Sequence, residues 1–458
     1  MALLNFRAPH KGLFNVFFLG TQKINDAGHL EIGGCDAVEL AQEFSTPLFV
    51  MDEAHIRAQM RSMRAAFDAQ NVDCHVIYAS KAFPCLAIAR IAAQEGLWID
   101  VASAGELLTA LRADFPAERV VFHGNNKSVE ELSMAVRARI GRVIVDNFDE
   151  LEMLDAIAGE MGMRQSIMLR LTPAVDAHTH RLIQTGRIDT KFGFNIEGGS
   201  ARRAVETALS KTNLELLGVG CHIGSQILDA PFFTLAARLM VEFLAQVRDE
   251  LHIEFPDLDL GGGLGIRYLP DQTPPSMDEY VATLVGTVRE QLNGFNLQMP
   301  HLAVEPGRSL VGEAGTTLYS VGTIKRIPNV RTYVSVDGGL SDNPRPALYE
   351  ARYFALNASK ARELQSDRVA VAGKHCETDV LIEEADLASP ERGDIVAVYG
   401  TGAYNYAMAS NYNRFRRPAV VLVNEGEADL IIERETLEDV LSHDLLPSRL
   451  TAKDALAV

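Results

Sequence analysis

Cysteine is scarce and unpatterned in this chain: Cys35, Cys74, Cys85, Cys221 and Cys376 are the only five among 458 residues, and no C-x-x-C pair occurs. An odd count without ligand-like His/Cys spacing argues against a disulfide framework or a zinc site and fits a reducing cytoplasm. Positive charge is also short. Lys and Arg number 43 against 61 Asp and Glu, a formal net charge of -18. Nucleic acids and anionic membranes call for a positive surface field, so neither is expected as a partner. Long apolar runs are missing too: no window approaches the roughly 18 apolar residues of a membrane span. "GLFNVFFLG" near the N-terminus contains Asn15 and is followed by no signal-type cleavage sequence, so it reads as a strand. Neither a P-loop lysine nor a dinucleotide G-x-G-x-x-G with its ribose-binding acid is present.

What the chain does have is a repeat. Between residues 74 and 310 a short β-branched run, a turn and a stretch of helical period recur eight times. The runs are "CHVIYASK", "LWIDVAS", "RVVFHG", "RVIVDN", "SIMLRLTP", "LLGVGCHIGS", "LDLGGG" and "HLAVEPGR", and the first five start 22 to 24 residues apart. That spacing is one strand plus one crossover helix, so an α/β fold is expected, a (β/α)8 TIM-like barrel over residues 53–310. A doubly wound open sheet satisfies the same period. Beyond "EPGR" the strands lack long helical crossovers, which predicts a mostly β second domain from 1–52 and 311–458, able to add residues to the substrate site. The 174–199 segment "AVDAHTHRLIQTGRIDTKFGFNIEGG" reads as a long polar loop, functional or mobile.

Chemistry in a barrel gathers where the strands finish. There lie Lys81, Asp100, Ser103, His123, Arg170, His222, Ser225, Gly261, Gly262, Gly263, Glu305 and Arg308. Taken singly, Lys81 is a solvated flank, "GGGLG" a turn, His222 a satisfied core histidine and "EPGR" an internal ion pair. Facing one cavity, they supply an amine nucleophile, an anion cradle, a carboxylate and a flat ring. Pyridoxal phosphate needs that set.

From about Pro47 to Val423 the chain carries "YASKA", "DVASAGEL", "HTH", "KFGF", "HIGSQ", "GGGLG", "EPGR", "DNPRPALYEARY", "CETDVL" and "GAYNYAMASNYNRFRRPAVVLV". In these it resembles the diaminopimelate decarboxylases, within the alanine racemase-like, fold-type III pyridoxal-phosphate enzymes. The resemblance implies that Lys81 bonds the cofactor aldehyde, His222 stacks on its ring and Glu305 pairs with the ring nitrogen. It implies a phosphate site of Ser225, Gly261, Gly262, Gly263, Gly307 and Arg308, and a proton-donating Cys376 offered across a homodimer interface with shared active sites. Arg308, Arg345, Tyr349, Glu377 and Tyr404 would line the substrate pocket, Tyr404 also touching the cofactor. Phe83 departs from the family's commoner Y-A-x-K-A-N form and bears only on the lysine's neighbour contacts.

Several decarboxylases share these features, and the pocket chemistry separates them. meso-Diaminopimelate carries an ammonium and a carboxylate at its far end. Arg345 with Tyr349 suits that carboxylate, and Glu377 suits the ammonium. The expected reaction is release of CO2 to give L-lysine, the last step of lysine biosynthesis, in the cytoplasm. A decarboxylase of ornithine, arginine or D-lysine, or a non-catalytic pyridoxal-phosphate-binding homologue, is the alternative.

Overall fold

The computed structural model describes residues 16–175 and 189–450; the "HTH" motif and much of the 174–199 segment, whose conformation the sequence leaves open, lie outside these residues. The eight apolar runs are eight parallel strands: β2 (Cys74–Ala79), β3 (Trp98–Val101), β4 (Val120–Phe122), β5 (Arg142–Val145), β6 (Gln165–Thr172), β8 (Leu214–Cys221), β9 (Asp257–Asp259) and β10 (His301–Val304). They pair in the order β6, β8, β9, β10, β2, β3, β4, β5, and β5 pairs back onto β6. That last pairing closes the barrel and excludes the open sheet. Strands buried on both faces read as near-continuous apolar runs, and here Ile77, Val121, Ile144, Met168 and Ala303 meet in one buried cluster drawn from five of them.

Around the barrel run α2 (Leu86–Gln94), α3 (Ala104–Arg112), α4 (Val129–Ala138), α5 (Phe148–Glu160), α6 (Ser200–Leu209), α7 (Ala230–Leu251) and α8 (Met277–Phe295). Four begin at an S/N-x-x-E signature: Ser103, Ser128, Asn147 and Ser276 each accept the N–H of the glutamate three residues on. Ser103 is therefore a helix cap, not part of the strand-end chemistry. The eighth crossover is reduced to one turn, α9 (Arg308–Val311). Its place is taken by α1 (Glu53–Ala69), which precedes the first strand and packs against α8 and α2.

Two further sequence expectations are corrected. α7 is long and apolar enough to cross a membrane by length and composition, but half of its apolar window is buried in the protein. Phe233, Met240, Phe243 and Leu244 are among its buried residues, as expected of a barrel-covering helix. Of "GLFNVFFLG", residues 16–19 form no strand; Phe17 instead packs on Phe354 and Tyr399, at 5.1 and 5.9 Å between ring centroids. The 174–199 segment also holds a two-residue strand, β7 (Phe194–Asn195), which pairs with the end of β6. Gly193 N–H anchors it to Asp146 at 2.9 Å.

The second domain is a mixed sheet built on the thirteen-residue strand β11 (Gly315–Ile327). One half of β11 pairs with β1 (Leu48–Asp52), from "PLFVMD", and with β16 (Ile395–Tyr399); its other half pairs with β12 (Arg331–Val336). β14 (Asp367–Ala372) and β15 (Val380–Leu387) extend the sheet past β12, and β17 (Ala419–Asn424) and β18 (Glu427–Ile432) extend it past β1. The small strand β13 (Ala355–Asn357) pairs with β16.

Candidate active site

Lys81 stands in a one-turn 3-10 helix, Ser80–Ala82, directly after β2. Tyr404 N–H donates to the Ala82 carbonyl at 2.9 Å, so a second-domain segment is bonded to the turn that carries Lys81. Phe83 is buried and stacks on Tyr406, with centroids 5.5 Å apart, which accounts for an aromatic residue there. Lys81 Nζ lies 3.9 Å from Asp100 Oδ2; the lysine side chain is 44% accessible, so it opens to the cavity, whereas Asp100 is 1% accessible. Burial works against the Lys81 charge, but Asp100, Tyr404 and Glu305 outweigh it and hold its pKa above the ordinary lysine value.

Glu305, just past β10, is 5% exposed. His123, past β4, brings Nε2 to 2.5 Å from Glu305 Oε1, yet without hydrogen-bond geometry both atoms stay unsatisfied. Burial lowers the His123 pKa to about 4, so the imidazole is neutral at pH 7. Burial pushes Glu305 up, opposed by Lys81, Arg170 and a hydrogen bond from Asp259. Asp259, at the end of β9, is pushed far higher by burial and by Glu305. Of this carboxyl pair Asp259 is pushed the further and is the hydrogen-bond donor to Glu305.

His222 follows β8. Its Nδ1 accepts Gly262 N–H at 3.1 Å, which leaves the ring proton on Nε2, and burial keeps the ring neutral by lowering its pKa well below the usual value. The glycine run lets strand ends touch. Gly261 has φ +69°, and a Cβ on Gly262 would sit 2.0 Å from the Glu305 carbonyl. Two of its N–H groups are already spent inside the protein, Gly261 on Asp259 and Gly262 on His222. The glycines are thus a narrower anion cradle than their sequence suggests.

Arg308 donates to Ser225 Oγ at 2.9 Å and to the Tyr268 hydroxyl, and its guanidinium lies 4.8 Å from the Tyr404 ring centroid. Gly307 admits this loop beside Lys81's turn, since a Cβ there would fall 2.9 Å from Ala79 Cβ. Arg345 opens α10 (Arg345–Tyr349), is 4% exposed, and donates to the hydroxyls of Tyr268 and Tyr353. Burial disfavours its charge, but both tyrosines hold its pKa above that of an ordinary arginine. Tyr349, half-buried on the same short helix, points its hydroxyl toward Met408 Sδ at 3.8 Å.

Cys376 and Glu377 are not drawn into this cluster. Both are exposed on the loop between β14 and β15. Cys376 N–H donates to Asn413 Oδ1 at 3.1 Å and Tyr412 O–H donates to Glu377. Glu377 also lines a cavity of about 480 Å³ beside Asn343, Pro346 and Ala347, next to the helix of Arg345. Their loop is pinned from within. His375 is buried, pairs through Nδ1 with Asp379 and accepts Ser341 N–H on Nε2 at 3.2 Å.

The mouth of the barrel holds an unusual share of unmet polar atoms. Ser80 Oγ, both Asp100 oxygens, His123 Nε2, Glu305 Oε1 and the Nε atoms of Arg308 and Arg345 are buried without a hydrogen-bond partner, where native proteins leave few. Among the described residues no carboxylate pairs with Arg308 or Arg345. A bound molecule bringing anionic oxygens and a protonated ring nitrogen satisfies such a set, so the donors and acceptors present fit pyridoxal phosphate. Asp259 and Tyr268 are the members that the sequence does not single out, whereas His123 stands at a strand end in the sequence without a role attached.

The model of the pyridoxal-dependent decarboxylase pyridoxal-binding domain matches residues 53–312. A diaminopimelate decarboxylase of Bacillus subtilis is 50% identical over 431 residues, 94% of this chain and 98% of that protein. The solved diaminopimelate decarboxylase of M. jannaschii, in complex with L-lysine, superposes with a TM-score of 0.88 at 38% identity, covering 94% and 99% of the two chains. A lysine/ornithine decarboxylase from Vibrio vulnificus shares the fold, with a TM-score of 0.70 at 24% identity over 84% of this chain and 97% of its own. With this fold, this cluster at its mouth and these relatives, the chain belongs to the diaminopimelate decarboxylase family of pyridoxal-phosphate-dependent enzymes.

Proposed function

We propose that the protein removes CO2 from the D-centre of meso-2,6-diaminopimelate to give L-lysine, closing lysine biosynthesis in the cytoplasm. One observation carries the choice of substrate: Arg345 is buried, donates to the hydroxyls of Tyr268 and Tyr353, and has no carboxylate partner among the described residues. An unpaired buried charge costs on the order of 3 to 5 kcal/mol. A substrate whose far end carries a carboxylate relieves that cost, and a pocket built to bind such a group rejects analogues lacking it by about a hundredfold or more.

Pyridoxal phosphate, when bound, supplies an aldehyde for the substrate amine and a ring that takes up the electron pair left by CO2. The chain's own groups do the rest. Lys81 Nζ, just after β2, would hold the cofactor through its aldehyde and would yield that place to the substrate amine. Glu305, which takes a hydrogen bond from Asp259, would face the ring nitrogen and favour its protonated form. Neutral His222 would offer the ring a flat face without adding charge. Ser225, Arg308, Gly307 and Gly263 would hold the cofactor's phosphate. Arg345 and Tyr349 take the distal carboxylate, Glu377 the distal ammonium, and Tyr404 closes over the site from the second domain. Cys376 Sγ delivers the proton to the carbon that lost CO2. Cys376 and Glu377 are exposed in one chain, which supports their delivery to a partner's site in a homodimer.

The test is CO2 release by the purified, cofactor-loaded protein from meso-diaminopimelate, lysine, ornithine and arginine, combined with borohydride reduction and peptide mapping. Release from meso-diaminopimelate at least about a hundredfold faster than from the others, with label on Lys81, is expected. Preference for a simple diamino acid, or label elsewhere, overturns the reading.

A further inference from the structure

We infer that Tyr268 is a specificity-determining positioning residue: its hydroxyl, shared by Arg308 and Arg345, fixes the spacing between the phosphate end of the site and the end that accepts a carboxylate. The inference rests on the reading of Arg345 as the partner of the distal carboxylate.

Tyr268 lies on the loop after β9 and is 5% exposed. Its oxygen accepts an Nη1–H from Arg308 and another from Arg345, the second at 2.9 Å. A phenol oxygen has two lone pairs, and guanidinium has only donors, so both acceptor positions are filled by cations. The ring faces both arginines as well, with guanidinium carbons 5.8 Å (Arg308) and 5.2 Å (Arg345) from its centroid. Tyr268 is thus the only residue among the described ones that donor bonds tie to both guanidinium groups.

Its surroundings hold it in place. Gln226 exchanges two bonds with the Ile266 backbone, at 2.8 and 3.2 Å, clamping this loop to the one that carries Ser225. Gln272 Oε1 accepts Tyr268 N–H at 2.9 Å. Beyond Arg345 the chain of contacts continues through Tyr353 to Asn405 and Asn343, and none of these reaches Arg308. Arg308 keeps its own tie to Ser225. Loss of the Tyr268 hydroxyl therefore frees the spacing of the two cations without removing either one, and the ligand feature that depends on that spacing is the carboxylate at Arg345.

L-Lysine and cadaverine differ only by that carboxylate, so their affinities for the cofactor-loaded protein read the inference directly. In Tyr268→Phe, L-lysine is expected to bind about tenfold more weakly while cadaverine changes less than about threefold, and KM for meso-diaminopimelate rises in step. A merely structural role lowers both affinities together. Should the phenylalanine variant fail to fold, replacement of Tyr268 by 4-aminophenylalanine keeps the ring and its length but faces the arginines with donors, and the same selective loss is expected. An unchanged L-lysine to cadaverine ratio in either folded variant overturns the inference. If the unaltered protein releases no CO2 from meso-diaminopimelate, the activity reading fails first; if it does and the ratio still holds, only the role of Tyr268 fails.

Discussion

Glu305 does not act alone at the end of β10. Its charge depends on which member of the Asp259 and Glu305 pair holds the proton, and burial together with Glu305 raises Asp259 the further of the two. Glu305→Ala is expected to retain cofactor but to lose at least about a hundredfold in CO2 release, because the group proposed to hold the ring-nitrogen proton is gone. Asp259→Asn keeps an N–H donor toward Glu305 and should lose no more than about tenfold, whereas Asp259→Ala should fall between the two. Single-turnover CO2 release alongside cofactor absorbance measures this; near-normal release by Glu305→Ala would remove the carboxylate from the chemistry. Lys81, Glu305 and Arg308 are legible in the sequence because each closes an apolar run at the barrel's working end. Asp259 is not, since inside "LDLGGG" it reads as a polar break in a strand. Only the pairing of β9 with β10 makes it a neighbour of Glu305. Tyr268 is equally silent, a lone loop tyrosine until two arginines far along the chain converge on it.

At the level of elements, periodicity identified every barrel strand, because burial on both faces writes itself as a β-branched run. It overcounted the crossovers. The stretch after β10 begins as a helix but stops at Val311, and the helix that completes the ring lies before the first strand, where counting forward does not look. β7 was hidden by its length of two residues. The loop between β12 and α10 shows how a second-domain element serves the site. Buried Asp342 accepts Tyr319 O–H and Gly339 N–H, and with Asp379 it shapes the backbone that presents Arg345. Burial, with Asp379, raises the Asp342 pKa from 3.8 to about 7, against the pull of Tyr319, Gly339 and His375. The folded state thus binds this proton more tightly than the unfolded chain. Its contribution is complete below about pH 4 and is lost as pH climbs toward 7. Asp342→Asn retains an acceptor and has no proton to lose. Denaturant midpoints measured from pH 4.5 to 8 should therefore fall with rising pH more steeply in the unaltered protein than in the variant. Parallel curves would show that Asp342 does not titrate in this window.

The whole molecule divides its chemistry unevenly. The barrel and the segment docked on it gather Lys81, Glu305, Arg308, Arg345 and Tyr404 within one chain, while Cys376 and Glu377 sit exposed on a loop whose base is rigidly buried through His375. If the Cys376 thiol serves decarboxylation as proposed, open solvent is no place for it, whereas a rigid exposed loop suits delivery into a second copy of the chain. Cyclic dimers use one surface patch twice, so a residue lent to the partner is repaid by symmetry. This arrangement makes complementation the decisive measurement. Lys81→Ala removes the amine from a chain's own site, and Cys376→Ala, which should bind cofactor normally yet turn over slowly, removes the thiol that the proposal lends to the partner. Each variant alone is inactive or nearly so. In a mixed dimer one site inherits both defects and the other inherits none. Random reassociation makes half the dimers mixed, each with one intact site, so activity should recover to about a quarter of the unaltered level. Two affinity tags isolate the mixed species, and in that fraction recovery should approach one half. If the mixed dimer is isolated and stays as inactive as its parents, Cys376 either works within its own chain or does not donate the proton.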